Sequence, residues 1–218
     1  MFDHDHEPTS FITHALGAIA SVIGLVLLVT QAVGTGVPSY IVGSALFGTS
    51  LVLLYLASAI YHLVPVNHAW KQRLQIVDHS MIFLLIAGTY TPITLVALQG
   101  WVGWTLFGIV WGIACIGIAG KAIEGLRTRI PHIVFVVLYA ISGWIALFAI
   151  VPLVHLFSGP ATALLFTGGG LYTVGIVFYA LDKHVPRTKW IGMHEIWHLF
   201  VLGGSACHFA LIYGYLLP

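Results

Sequence analysis

The sequence predicts an all-α polytopic membrane protein with seven transmembrane helices, and three observations predict it. Of its 218 residues, 59% are hydrophobic and only 7% are charged, where an ordinary soluble domain carries about 25% charge. The apolar residues gather into seven stretches of the length that crosses a bilayer, about 20 residues each. The eight Lys/Arg residues fall only in alternate connections between those stretches. Fifteen charges cannot cover the surface of a soluble fold this size. A soluble enzyme, a disordered chain and a nucleic-acid binder, which needs a basic stripe, are therefore excluded.

The elements follow in order. MFDHDHEPTS is polar and acidic and lacks the basic n-region of a cleavable signal, so residues 1–12 read as a polar segment and 13–33 as a retained helix. Gly34, Gly36 and Pro38 supply turn chemistry before the second span, 38–62. The third, 76–98, carries Pro92, which should kink its later part. Gln99-Gly100 opens the fourth, 101–120, where Gly108 and Gly112 stand four apart, a spacing that suits close helix packing. The fifth runs over 132–153, and Ser158-Gly159-Pro160 divides it from the sixth, 158–181. The seventh covers 193–217. Residues 13–218 form one domain. Cys115 and Cys207 lie in apolar stretches and read as buried thiols.

Loop charges orient these spans. Lys71 and Arg73 follow span two, Lys121, Arg127 and Arg129 follow span four, and Lys183, Arg187 and Lys189 follow span six. Basic loops face the cytoplasm, which puts the N-terminus inside and the C-terminus outside. Trp70, Trp101 and Trp190 sit where interfacial anchors belong.

Two acidic residues fall inside spans, Asp78 and Glu195. A carboxylate in the bilayer is costly and marks function by default, although Asp78 also suits a helix start. The last span opens His194-Glu195-Ile196-Trp197-His198. Histidines four apart share one helix face, about 6 Å apart along the axis. Topology brings His62, Asp78, His194 and His198 to the same end of the bundle, and Ser58 shares a face with His62. Three histidines with an open position are the pattern of a catalytic zinc site, though histidine sites also accept other divalent ions. The other nine of the twelve histidines read more blandly: His4 and His6 in the tail, His68 and His184 in loops, His132 and His155 near helix ends. His208 lies about 15 Å further along its helix than His198, too far for the same ion. His14 and His79 read as packed groups.

Glu7-Pro8-Thr9-Ser10, Thr13-His14, Ser58-Ala59-Ile60-Tyr61-His62, the run from Asp78 through Gly88-Thr89-Tyr90-Thr91-Pro92, and His194 through Phe200 together resemble the hemolysin III family, across essentially the whole chain. That family groups with the progestin and adipoQ receptors, which are adiponectin-receptor-like, and more distantly resembles alkaline ceramidases. The resemblance implies an intramembrane zinc held by His62, His194 and His198, with Asp78 on the metal-bound water and Ser58 close by. Ser10 stands where many relatives have Asn. The family name implies cytolysis, but a secreted pore-former needs a soluble form, which seven apolar spans do not leave. A zinc-dependent hydrolase of lipid amides or esters is expected, in the plasma membrane of a bacterium, its substrate entering sideways from the bilayer. Two other readings stay open: a receptor-like or stress-related protein with structural zinc, and an intramembrane metalloprotease with Glu195 as base. A transporter would need an inverted repeat or mid-membrane charge, and neither is apparent.

Overall fold

The computed structural model describes residues 7–186, 188 and 191–218. Asp3, His4, Asp5, His6, Arg187, Lys189 and Trp190 lie outside the described residues. All regular structure among the described residues is helical, with seven helical segments long and apolar enough to span a membrane. Helix α1 (Pro8–Gly34) begins at a proline, whose missing N–H is no loss in a first turn. It starts earlier than the apolar run, so Ser10 and His14 enter the buried stripe that continues through Gly17, Ser21, Gly24 and Leu28. Gly36, with φ +67°, reverses the chain into α2 (Pro38–Leu63).

Helix α3 (Lys71–Pro92) continues as a wider π-helical turn, Ile93–Leu98, after the proline. Thr91 and Thr94 hydroxyls donate to the carbonyls of Ala87 and Tyr90, 2.7 and 2.9 Å away. They bond backbone oxygens at the bend that no water can reach. Gly43 of α2 allows the approach there, because a Cβ would lie 2.9 Å from the Pro92 backbone. Gln99 and Gly100, both at positive φ, lead into α4 (Gly100–Ala122). A short helix, α5 (Glu124–Arg127), precedes the fifth span, which is built from α6 (His132–Trp144), a 3₁₀ turn and α7 (Ile150–Leu156). Helices α8 (Gly159–Leu181) and α9 (Met193–Leu211) complete the bundle, α9 ending in a π-turn.

Helix α2 packs along both α1 and α3, and α9 along α8. Gly17, Gly48, Gly88 and Gly204 lie at close crossings, where a Cβ would collide with Tyr55, Leu25, Ser50 and Tyr172. Gly108 and Gly112, the pair that the spacing singled out, face open space instead. Cys115 is exposed and Cys207 half-buried, so the expectation of two buried thiols fails. A helix facing lipid is as apolar outside as inside, and pattern alone cannot tell which face is covered. Trp70 and Trp101 are exposed. Lys121, assigned to a loop by sequence, ends α4 with only 5% exposure.

Candidate metal centre

The last turn of α2 carries His62 and the first turns of α9 carry His194 and His198. Antiparallel packing brings these ends together. The Nε2 atom of His194 lies 3.4 Å from that of His62 and 3.1 Å from that of His198. One nitrogen from each ring falls within 4.8 Å of the others. Three imidazoles around one tetrahedral ion at about 2.0–2.1 Å stand roughly 3.3 Å apart. The donor set therefore fits a metal ion.

The rings are aimed by a shell that sequence reasoning did not find. His62 Nδ1–H donates to Glu7 Oε2 at 2.8 Å, because a carboxylate can only accept. The Thr13 hydroxyl donates to the Ser10 carbonyl at 2.9 Å, so its oxygen is left to accept from His198 Nδ1–H at 3.2 Å. Both contacts put the proton on Nδ1 and leave Nε2 free to bind, the second-shell arrangement that orients metal-ligating histidines. Asp182 Oδ1 accepts the His194 backbone N–H at 3.0 Å and ties the start of α9 to the end of α8. Lys71 donates to Glu7 (3.3 Å) and to the Tyr61 and Val64 carbonyls at the end of α2 (2.8 and 3.1 Å). Partial burial works to raise the Glu7 carboxyl, but its contacts with His62 and Lys71 outweigh this and hold it at about 2. The available signal was that Glu7-Pro8-Thr9-Ser10 and Thr13-His14 carry part of the family resemblance.

Asp78 and Ser58 are both buried, and the Ser58 hydroxyl hydrogen-bonds the Asp78 carboxylate. They stand on α3 and α2, beside His62. Asp78 also lines a cavity of about 140 Å³ that runs between α3, α6, α8 and α9. His14 lines it as well, stacked on His198 at 3.5 Å between ring centroids, and neither of its ring nitrogens has a partner. His79 and His132 belong to the cavity wall and not to the triad. His208 is buried far along α9, donating from Nδ1 to the Gly204 carbonyl at 2.8 Å. His68, His155 and His184 are exposed.

Glu195 is fully engaged elsewhere. Its two oxygens accept from the Gly192 N–H and the Ser10 hydroxyl, both at 2.7 Å. It caps α9 and pins α1 to it, a task that explains a buried acid without a proton-transfer role.

The chain is similar to known proteins. The family model described as "Haemolysin-III related" matches residues 2–209. The chain is 42% identical over 213 residues to "Hemolysin-3" of Bacillus cereus, covering 97% of this chain and 92% of that protein. It is 42% identical over 215 residues to the "Hemolysin-3 homolog" of Bacillus subtilis (strain 168), covering 99% and 96%. A human protein, "Monocyte to macrophage differentiation factor", is 24% identical over 223 residues, covering 98% and 85%.

Proposed function

The chain belongs to the Haemolysin-III related family, and from that premise we propose that it is a zinc-dependent membrane hydrolase of lipid amides or esters. The observation that carries this reading is the convergence of three Nε2 atoms beside an Asp78–Ser58 pair that faces an apolar cavity. His62, His194 and His198 would hold the ion, which when bound lowers the pKa of a water to about 7 and polarises a carbonyl. Asp78 takes the proton of the attacking water as general base, the role its place on the cavity wall suits. Ser58 keeps the Asp78 carboxylate oriented toward it. Glu7 and Thr13 keep the ligand tautomers correct. The apolar walls of α3, α6 and α8 hold an acyl chain and exclude bulk water, and the substrate enters from the bilayer.

The described basic residues, Lys71, Arg73, Lys121, Arg127, Arg129 and Lys183, lie in connections at the triad's end of the bundle or at the adjoining helix ends. By the positive-inside rule this end is cytoplasmic, with the N-terminus inside and the C-terminus outside. Residues 13–218 act as one transmembrane domain behind a short polar segment. The Bacillus relatives support a bacterial plasma membrane.

A second reading has its own support. Glu7 and Thr13 belong to the start of α1 and hold ligands on α2 and α9, so an ion here would staple three helices in a non-enzymatic, receptor-like protein. One variant separates the two. Asp78→Asn should keep zinc, measured by elemental analysis of purified protein, and lose hydrolysis across a panel of lipid amides and esters. Zinc-loaded native protein without turnover on any of them leaves the staple standing. Native protein that purifies without zinc under metal-replete conditions ends both readings.

A further inference from the structure

A second polar cluster lies at the same end of the bundle, between α3, α4 and α6, and the metal centre does not use it. Its core is Lys121. Lysine is almost never buried unless paired with an anion, and near a helix end in a membrane it normally reaches out to the interface. Lys121 does neither. It is 5% exposed. Its ammonium lies 3.4 Å from His79 Nδ1 and 4.3 Å from the Phe135 ring centroid. Among the described residues, ion pairs form only at Glu7, and Asp78 reaches Lys121 only through its field. A second cation aggravates the imbalance: Arg127 is close enough for its charge to be felt at Lys121, and its Nε is buried without a partner. Two neighbouring cations in a low-dielectric corner call for a negative charge that the protein does not supply.

The geometry also says where that charge would sit. An ammonium can only donate, so Nδ1 of His79 accepts and its Nε2 carries the proton. His79 lines the cavity, and its ring meets that of His132 with centroids 5.6 Å apart. His132 is exposed at the cavity's end and pairs through Nε2 with the Tyr179 hydroxyl at 3.2 Å. One end of the cavity wall therefore carries N–H and O–H donors, with Lys121 behind His79, and the rest of the wall is apolar. Ile116 and Ile123, near Lys121 in the chain, and Ile133, beside His132, are exposed. Basic pockets between transmembrane helices on the cytoplasmic side recognise anionic headgroups.

We propose that His79, backed by Lys121, together with His132 forms a binding site for the oxyanion headgroup, phosphate or carboxylate, of an anionic membrane lipid whose chain enters the cavity. The site does not depend on the metal or on turnover. The test is native mass spectrometry of the full chain released from nanodiscs of phosphatidylcholine doped with phosphatidylglycerol or with oleate, supported by thermal stability in detergent. The native chain should retain one anionic lipid, and Lys121→Gln should weaken retention about tenfold, as loss of a charge-assisted contact does. Lys121→Arg should restore it to within about twofold, which guards against a merely misfolded variant. Retention should also survive chelation of metal. Equal retention of phosphatidylcholine and both anionic lipids overturns the proposal. So does native-like retention by Lys121→Gln, or stabilisation by inorganic phosphate as strong as by either lipid.

Discussion

The two walls of the cavity are built differently. In the third span, 61% of the residues in the most apolar stretch are buried, against 17% in the sixth. On the α2–α3 side, small residues let backbones meet: Gly43 on Pro92 and Gly88 on Ser50. On the α6–α8 side the helices touch sparingly. Their cross-links include Trp144 Nε1–H to the Thr173 hydroxyl at 2.9 Å, and the His132–Tyr179 contact. A Cβ added at Gly143, on α6, would meet open space. The difference separates two tasks. Metal ligands need positions held to fractions of an ångström, and His62, one of the three candidate ligands, stands on the packed side, fastened by Glu7 at the start of α1. A lipid chain needs a wall that can part, and sparse contact is where local opening is easiest.

The largest effect should come from the packed side's chemistry. His62→Ala removes one of three donors, and metal content should fall to background by elemental analysis, with Val201 and the rest of the α9 core still folded by circular dichroism. Undiminished metal would remove the site. Glu7→Gln loosens the ring that His62 presents, and metal affinity should drop roughly 10–100-fold, as outer-shell losses do; competition with a fluorescent chelator measures this. An unchanged affinity would mean that the tail only covers the site. Gly43→Ala tests packing alone. Its Cβ would meet backbone, which cannot turn away, so thermal unfolding in detergent should show a loss of about 1–3 kcal/mol. The smallest effect belongs to Gly108→Ala, which meets open space and should change stability by less than about 0.5 kcal/mol. Equal losses at Gly43 and Gly108 would erase the contrast between packed and lipid-facing helix surfaces.

The candidate site was legible in part, for a geometric reason. Consecutive spans run in opposite directions, so loop charges alone send His62, Asp78, His194 and His198 to one end of the bundle, and there the three rings meet. Glu7, Ser10 and Thr13 were not legible, because their partners His62, Glu195 and His198 are remote in sequence. A polar residue before a span looks like a solvated tail whether or not it folds back.

What the sequence determined by itself was the number, length and order of the spans, because hydrocarbon thickness converts directly into a run of apolar residues. What only the tertiary structure decided was the rotation of each helix about its axis. In water a polar face would mark that rotation, but lipid is as apolar as a protein core, and the periodic signal fades. Hence Gly108 and Gly112 turned outward, Lys121 turned inward, and the start of α1 became part of the candidate metal site.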